Sequence, residues 1–302
     1  MLRMTAAPIP LTVIGGYLGA GKTTLVNQLL CHPGGRRLGV IVNDFGSLAV
    51  DAELLSDAAG PGGVVSLPNG CVCCTVGAGL HEALGQLVGR ADPPDHIVIE
   101  VSGVADPAAA GAWGTVPPFE PGGVVVLAAA DAVRQQARDR YVGTDVVRQL
   151  AGADLVLVTK TDLVSPESLS GLHGWLDDRS HGAPRLDVVA GDLPADVALG
   201  VHPSGGPLPS GDGEAHDGRY RSWVWTSQEP IERADLDAVV DGLGPVLRAK
   251  GVVRLTDGSS VLVQVVGRRR EFSPISVGEP LAGASQLVAI AIAPDPDPPP
   301  FA

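Results

Sequence analysis

Short apolar runs alternate with polar, glycine-containing segments over roughly the first two thirds of the chain. Branched aliphatic runs of about four to eight residues are typical of strands buried on both faces of a sheet. Stretches with apolar residues at helical spacing lie between them, and this alternation predicts a mostly parallel sheet flanked by helices. The predicted strands are residues 11–14, 38–42, 64–67, 95–101, 123–130, 154–158 and 186–190. The predicted helices are residues 22–31, 78–88, 133–150 and 163–176, and the polar, Arg-containing segment 133–150 is expected to form a solvated face.

The last third of the chain follows a different pattern. A Gly- and Pro-rich segment over residues 200–218 predicts a flexible linker. The remainder predicts a small α+β domain, with a helix over residues 231–248. Its predicted strands are residues 220–226, 252–255, 261–266 and 287–291. The predicted organisation is a first domain over residues 1–199, the linker, a second domain over 219–293 and a disordered Pro-rich tail over 294–302.

The segment between the first strand and the first helix carries the pattern G-x-x-x-x-G-K-[ST], from Gly16 to Thr23. Glycines bring backbone N–H groups close to phosphate oxygens, and the helix that follows directs the positive end of its dipole at the same anion. We expect Lys22 to reach the β and γ phosphates and the Thr23 hydroxyl to ligate Mg²⁺. The residues predicted to bind the nucleoside triphosphate here are Gly16, Gly19, Ala20, Gly21, Lys22, Thr23 and Thr24.

Carboxylates follow two of the other predicted strands. Glu100 ends a buried strand at the Walker-B position, where it would support the Mg²⁺ shell or polarise the attacking water. Ser102 and Gly103 would then form a turn near the γ-phosphate. Asp44 and Asp51 follow the second strand and are candidates for holding Mg²⁺ or another metal, but a role as turn and cap residues is equally open.

The sequence Thr159-Lys160-Thr161-Asp162 follows the sixth strand and resembles the guanine-reading N-K-x-D motif of GTPases. In that motif the Asp carboxylate accepts two hydrogen bonds from guanine, and the Lys stem packs along the base. Asp162 and Lys160 are therefore predicted to bind the base. Thr159 stands where Asn is usual, so the amide that ties neighbouring loops is absent.

Three of the four cysteines, Cys71, Cys73 and Cys74, fall within four residues. Such crowding suits a metal or redox site better than a disulfide framework. Thiolates favour Zn²⁺ and other late first-row metals. Three sulfurs cannot complete a tetrahedron, so a carboxylate, water or partner group is implied, and an open site of this kind suits transfer better than permanent structure.

Composition and charge narrow the possible partners. The chain of 302 residues carries 21 basic and 34 acidic side chains, a formal charge of −13, which disfavours nucleic acid as a partner. Hydrophobic residues make up 45% and aromatic residues 4%, so the core must consist mostly of aliphatic side chains. No apolar run is long enough to predict a membrane span, and no signal peptide is recognised, so a cytoplasmic location is expected.

Together these motifs resemble the CobW family of P-loop GTPase metallochaperones over nearly the whole chain. The matching segments are residues 16–23, 43–46 with Asp51, 69–74, 100–107, 159–162 and, in the second domain, 248–251. The C-x-C-C cluster is the most specific of them, because ordinary P-loop GTPases lack it. The chain departs from the family at Asp44, where Glu is usual, at Thr159, and in lacking a histidine-rich stretch before the second domain.

The resemblance implies a mechanism. GTP with Mg²⁺ would order the segments around Asp44, the cysteines and Glu100, and so assemble a tight site for Zn²⁺ or Co²⁺. Hydrolysis would then release the metal to a client metalloprotein. In this scheme the catalytic residues are Lys22, Glu100 and Asp44, and the cargo ligands are Cys71, Cys73, Cys74 and Asp44.

Two alternatives remain open at this point. One is a P-loop kinase or ATPase whose cysteines form a redox switch, which would differ in nucleotide preference and would yield a phosphorylated small molecule. The other is a zinc-dependent regulatory or partner-binding protein that uses the nucleotide as a structural ligand, which would show negligible turnover.

Overall fold

The computed structural model describes residues 8–43, 64–67, 78–200, 220–274 and 284–292. The chain divides into two compact units, Met1–Ala195 and Asp196–Ala302. Within these described ranges, no helix is long and apolar enough to cross a membrane.

The first unit contains a seven-stranded parallel sheet in the order β3-β2-β4-β1-β5-β6-β7. Its strands are β1 (Ile9–Gly16), β2 (Leu38–Asn43), β3 (Val64–Leu67), β4 (His96–Glu100), β5 (Phe119–Ala129), β6 (Leu155–Thr159) and β7 (Arg185–Val188). The central strands are buried along nearly their whole length, which explains their continuous apolar sequences. The predicted mostly parallel sheet is confirmed.

Helices flank this sheet and bury their aliphatic faces against it. Their bounds are α1 (Lys22–Cys31), α2 (Ala78–Val88), α3 (Pro107–Gly111), α4 (Val133–Gln136), α5 (Gly143–Ala151) and α6 (Pro166–Arg179). A further short helix, α7 (Ala195–Leu199), lies where the second unit begins. Leu80, Leu84 and Leu87 of α2 are almost fully buried, and they pack in one cluster with Ile97 and Ile99 of β4. Because all seven strands are parallel, their carboxyl ends lie at one edge of the sheet, which is where ligands bind in folds of this kind.

The prediction of one solvated helix over residues 133–150 is wrong in two respects. The segment forms two helices, α4 and α5, which an irregular turn separates before Gly143. A side chain at Gly143 would lie 2.5 Å from the carbonyl oxygen of Ala137, so the chain folds back too closely there for a continuous helix. In addition, α5 is not a solvated helix, because Val146, Gln149 and Leu150 are buried.

The second unit contains a five-stranded antiparallel sheet in the order β11-β10-β9-β12-β8. Its elements are β8 (Tyr220–Ser227), α8 (Leu236–Gly242), β9 (Arg248–Arg254), β10 (Ser260–Val266), β11 (Arg269–Pro274) and β12 (Ser285–Ile292). Trp223 and Trp225 of β8 lie in the same apolar cluster as Leu236 and Val240 of α8. The predicted α+β domain is therefore confirmed.

Two local predictions for this unit are wrong. The helix predicted over residues 231–248 is limited to α8, and Arg248 opens a strand. The apolar residues after α8, among them Val246 and Leu247, enter the core from a turn rather than from a helix. The strand β11 was not predicted, because its sequence Arg-Arg-Glu-Phe-Ser-Pro carries little apolar alternation and lies at the edge of the sheet.

Candidate nucleotide-binding site

The phosphate loop follows β1, the central strand of the parallel sheet, and ends at the first residue of α1. Gly16 adopts a φ of 130°, and a side chain there would lie 2.5 Å from the carbonyl oxygen of Leu127 on β5. Gly21 is the N-cap of α1 with a φ of 94°, in the left-handed region that favours glycine. The loop therefore turns sharply and presents the amino end of α1 at the carboxyl edge of the sheet, a geometry that suits an anion.

Lys22 opens α1, and its side chain folds back over the phosphate loop. Its ammonium donates to the carbonyl oxygen of Gly16 at 2.9 Å and lies 3.5 Å from that of Tyr17. The side chain is buried, and this burial lowers the pKa of Lys22, although the negative charge of Glu100 opposes the shift. A buried ammonium held over a loop of this type is positioned to meet phosphate oxygens.

Thr23 and Glu100 meet although they are far apart in the sequence. The Thr23 hydroxyl donates to Oε1 of Glu100 at 3.0 Å. The Glu100 carboxyl is buried, and burial raises its pKa, while the charge of Lys22 and the hydrogen bond from Thr23 oppose the rise. The structure thus brings together Gly16, Lys22, Thr23 and Glu100, which the sequence indicated through two separate signals, the phosphate-loop motif and the carboxylate that ends a buried strand.

Oε2 of Glu100 is buried and has no hydrogen-bond partner among the described residues. A buried carboxylate oxygen without a partner is costly, so its retention indicates a ligand that completes it. Carboxylate and hydroxyl oxygens are the donors that Mg²⁺ prefers, directly or through its water shell. Thr23 and Glu100 therefore fit the magnesium ion that accompanies a nucleoside triphosphate.

The loop after Glu100 lies against the phosphate loop. The amide of Val101 donates to the carbonyl oxygen of Ile14 at 3.0 Å. A side chain at Gly103 would lie 2.6 Å from Cδ2 of Leu18 and 2.7 Å from its backbone nitrogen. The hydroxyl of Ser102 is buried and lacks a partner within the described part of the chain. The predicted turn of Ser102 and Gly103 thus borders the phosphate loop.

A second region of the site is a pocket between the start of α1 and the ends of β6 and β7. Its lining residues are Ala20, Gly21, Thr24, Leu25, Leu127, Leu157, Thr159, Lys160, Val188, Ala190 and Gly191. Ala190 adopts a left-handed conformation with a φ of 51°, unusual for a residue other than glycine. The walls are mostly apolar, which suits the flat faces of a nucleobase.

Thr159 corrects one expectation drawn from the sequence. The usual Asn is absent, yet the Thr159 hydroxyl donates to the carbonyl oxygen of Ala20 at 2.8 Å in a buried position. Thr159 is the last residue of β6, and Ala20 lies in the phosphate loop. The link between the base region and the phosphate loop is therefore present, made by a hydroxyl instead of an amide.

Lys160 and Asp162 occupy different surroundings. Lys160 lines the pocket in a left-handed conformation with a φ of 56°, and its ammonium lies 3.9 Å from a carboxylate oxygen of Asp131, just beyond β5. Asp162 lies in a short 3₁₀ helix, Thr161–Leu163, and its side chain is exposed at the surface. It is not among the residues that line the pocket.

The predicted ligands of the cargo metal, unlike Thr23, fall outside the described residues. These are Asp44, Cys71, Cys73 and Cys74, together with Asp51. Among the residues that are described, no group of three or more His, Cys, Asp or Glu side chains could hold a metal ion. The exposed His81 of α2 places its ring 5.8 Å from that of Trp113, as expected of a surface histidine rather than a ligand.

Sequence reasoning missed one part of the site and one buried polar residue of a helix near it. The turn after β7, at Ala190 and Gly191, was read only as the end of a strand, although a Gly-containing turn after a parallel strand at the ligand edge was a usable signal. Gln149, a buried amide on α5, gave no sequence signal, because it lies in a segment that reads as polar.

A parallel sheet with a G-x-x-x-x-G-K-T loop after its central strand, a buried Lys and a Thr–Glu pair defines a P-loop nucleotide-binding protein. Comparison with known families agrees. Residues 10–186 match the model of the CobW/HypB/UreG nucleotide-binding domain, and residues 220–298 match that of the cobalamin synthesis protein cobW C-terminal domain. The chain therefore belongs to the CobW family.

Similar proteins include a zinc chaperone CobW from Sinorhizobium sp, which is 31% identical over 313 residues and covers 88% of each chain. The zinc chaperone YjiA from Escherichia coli is 34% identical over 198 residues, 62% of this chain and 59% of that protein. A crystal structure of Zn(II)-bound YjiA GTPase from the same species aligns over 95% of both chains with 25% identity and a TM-score of 0.45.

We expect Thr159→Val to weaken nucleotide binding about 5- to 10-fold, because it removes a buried hydrogen bond worth ~1 kcal/mol that holds the phosphate loop. Titration with a fluorescent GDP derivative measures the dissociation constant. Thr115→Val is the matched control, since the Thr115 hydroxyl also donates to a backbone carbonyl, that of Ala112, but in an exposed turn before β5. An unchanged dissociation constant for Thr159→Val would show that the link does not support binding.

We expect Glu100→Gln to raise the melting temperature of the ligand-free protein at neutral pH by roughly 2–4 °C, the effect of about 1 kcal/mol. Burial raises the pKa of Glu100 above its ordinary value of 4.5, so the folded state favours the protonated carboxyl. The stability that this protonation supplies is complete below pH 4.5 and is lost as pH rises through the folded-state pKa. The gain should therefore be absent near pH 4.5 and should grow toward pH 7.

Thermal unfolding across that pH range, followed by circular dichroism, measures this difference. Glu82→Gln on the exposed face of α2 serves as the control. A melting temperature for Glu100→Gln that stays at or below the wild-type value at every pH would contradict the assignment of a destabilising buried charge.

Proposed function

We propose that this protein is a GTP-hydrolysing metallochaperone that carries Zn²⁺ or Co²⁺ on Cys71, Cys73, Cys74 and Asp44 and transfers it to a client metalloprotein. The observation that carries the proposal is the strand order β3-β2-β4-β1. It aligns the strands that precede Asp44 and the cysteines with the strand that ends at Glu100.

The strand register supports this alignment. Val42 of β2 pairs with Glu100 of β4, and Leu67 of β3 pairs with Asn43 of β2. Asp44 is the next residue after β2, and Cys71 follows β3 by four residues. Because neighbouring strands lie about 4.8 Å apart, the chain departs toward both segments within about 10 Å of the backbone of Glu100.

Lys22, Thr23 and Glu100 supply the nucleotide chemistry. The ammonium of Lys22 would exchange its backbone carbonyl partners for phosphate oxygens, which would restore the charge stabilisation that burial removes. Thr23 and Glu100 would hold Mg²⁺, which supplies charge neutralisation for the phosphates when bound.

Glu100 also has the features of a residue that orients the attacking water. Its free Oε2 can accept a hydrogen bond from water, and its raised pKa makes it a better proton acceptor than an exposed carboxylate. The water oxygen would bond to the γ-phosphorus, and the bond to the bridging oxygen of the β-phosphate would break, which yields GDP and inorganic phosphate. Lys22 would stabilise the negative charge that develops on the leaving oxygen.

The coupling of metal affinity to the nucleotide state would follow from the negative charge of the metal ligands and from their proximity to the nucleotide site. Three thiolates and a carboxylate form a soft, anionic ligand set of the kind that Zn²⁺ favours. Loss of the γ-phosphate would remove the anion against which the segments after β2 and β3 are ordered, and this would loosen the metal site. The two relatives described above are zinc chaperones, and this favours zinc as the cargo.

Guanine would occupy the pocket beside Thr159 and Lys160. The aliphatic stem of Lys160 would cover one face of the base, and the Asp162 carboxylate would accept hydrogen bonds from its N1–H and 2-amino groups. Adenine offers neither donor in that arrangement, so an Asp at this position selects for GTP over ATP.

We expect Zn²⁺ and Co²⁺ to bind at least about 100-fold more tightly with Mg²⁺ and a non-hydrolysable GTP analogue than with Mg²⁺–GDP or without nucleotide. Competition with a chromophoric chelator measures the affinities in the three states. Cys73→Ser should abolish the tightening, because it removes one of three thiolates. Cys31→Ser is the matched control, since Cys31 lies exposed at the end of α1.

Equal metal affinity in all three nucleotide states would contradict the chaperone function and would favour a regulatory protein or a redox switch. Full tightening in Cys73→Ser would contradict the assignment of the C-x-C-C site while leaving nucleotide control intact.

We expect Asp162→Asn to lower the affinity for GTP at least about 100-fold and to raise that for XTP, because an amide complements the 2-carbonyl of xanthine as a carboxylate complements the 2-amino group of guanine. Competition with a fluorescent nucleotide measures both affinities. Asp178→Asn, on the exposed face of α6, serves as the control. If the variant keeps the wild-type preference for GTP, Asp162 does not read the base.

A further inference from the structure

Gln149 is the buried polar residue of α5 and makes two hydrogen bonds to one loop. Its side chain is 1% exposed. The amide nitrogen donates to the carbonyl oxygen of Gly103 at 3.0 Å and to that of Ala105 at 2.8 Å. Both acceptors lie in the loop that joins Glu100 to α3, so one side chain fixes that loop at two points.

The same loop is held in other ways as well, because Val101 and Ala105 are buried in the core and the amide of Val101 donates to the carbonyl oxygen of Ile14. The amide of Ala105 donates to the carbonyl oxygen of Ser102 at 3.1 Å, which closes a turn. Asp106 caps α3 by accepting from the amide of Ala108 at 3.0 Å, and its other oxygen lies 3.6 Å from Nε of the exposed Arg148. An exposed ion pair of this length contributes little, so among the described residues Gln149 supplies the main polar tether between the loop and α5, alongside the apolar packing of Val101 and Ala105.

The packing of α5 indicates that the amide has a specific use. Val146 and Leu150, on the same helix, are buried aliphatic residues in the core. An aliphatic side chain at position 149 would bury as well at lower cost, since a buried amide must find partners. Gln149 finds both of its partners in the loop, and this compensates its desolvation.

The tethered loop follows Glu100 and lies against the phosphate loop. Gly103, which accepts the first hydrogen bond, is the residue that closely approaches Leu18. Ser102, with its buried hydroxyl, stands between Glu100 and Gly103. A shift of the Gly103 carbonyl would therefore change the spacing between the phosphate loop and the residues that face the γ-phosphate.

We propose that Gln149 is a positioning residue for nucleotide hydrolysis, which holds the Val101–Ala105 loop in register with the phosphate loop. This inference rests on the proposed GTPase function. Gln149 does not touch the nucleotide site, so it acts on the geometry of attack rather than on binding. Displacements of about 1 Å from the reactive geometry reduce rates by about 100-fold without comparable loss of ground-state binding.

Gln149→Met tests this, because methionine preserves the length and volume of the side chain and removes both donors. We expect kcat for GTP to fall at least about 10-fold while KM changes less than about 3-fold. Hydrogen exchange of the backbone amides in residues 101–106 should accelerate at least about 10-fold. Gln135→Met, on the exposed face of α4, should behave as the wild type in both measurements.

Gln149→Glu keeps the shape of the side chain and provides a second variant if the methionine protein does not fold. Its ionised carboxylate would repel the two carbonyl oxygens, whereas its protonated form regains one donor. We therefore expect its kcat, relative to the wild type, to rise as pH falls from about 8 to about 6, with a parallel recovery of amide protection. A merely space-filling role predicts no such recovery.

The two claims fail separately. Absence of GTP turnover in the wild type overturns the proposed function, whereas the exchange rates of residues 101–106 still decide whether Gln149 holds the loop. Wild-type kcat and exchange in Gln149→Met overturn the positioning role while the GTPase function stands. A rise in KM that matches the fall in kcat also overturns it, because the residue would then support binding.

Discussion

Two opposite charges, that of Lys22 at the start of α1 and that of Glu100 at the end of β4, are buried near one another, and the site depends on keeping them there. Burial lowers the pKa of Lys22 and raises that of Glu100, which favours the neutral form of each group. The opposite charge of the neighbour compensates this effect only in part. Such an arrangement costs folding free energy, which the aliphatic core of the parallel sheet must supply. In the proposed function, a polyanion beside Lys22 and a divalent cation beside Glu100 would offset this cost.

The fold of the first unit could be predicted from the sequence because its strands are buried on both faces. Continuous runs such as His96–Glu100 and Leu155–Thr159 leave little ambiguity, and the phosphate-loop motif fixes the position of β1. The second unit was less predictable. Apolar residues near Val246 follow helical spacing but serve a turn and a strand, and tertiary packing there overrode the local pattern.

The residues of the site fall into two groups in the same way, those that belong to sequence motifs and those whose roles depend on tertiary packing. Gly16, Lys22, Thr23 and Glu100 belong to motifs whose spacing carries their chemistry, and the structure brings them together. The roles of Thr159 and Gln149 depend on partners more than 40 residues distant in the sequence, Ala20 and the Gly103–Ala105 turn. Pairings of that kind arise from the packing of helices and strands, and a single sequence does not specify them.

The hydrogen bond between Thr159 and Ala20 makes one short backbone segment common to both halves of the nucleotide site. Ala20 faces the base pocket, and the next residues, Gly21 and Lys22, begin the helix that meets the phosphates. Because a β-branched residue on a strand has few rotamers, a movement of the Thr159 backbone would also move Ala20. In the proposed function, the base and the phosphates would therefore both bind next to the segment Ala20–Lys22, and a ligand that offers only one of the two would order only part of that segment.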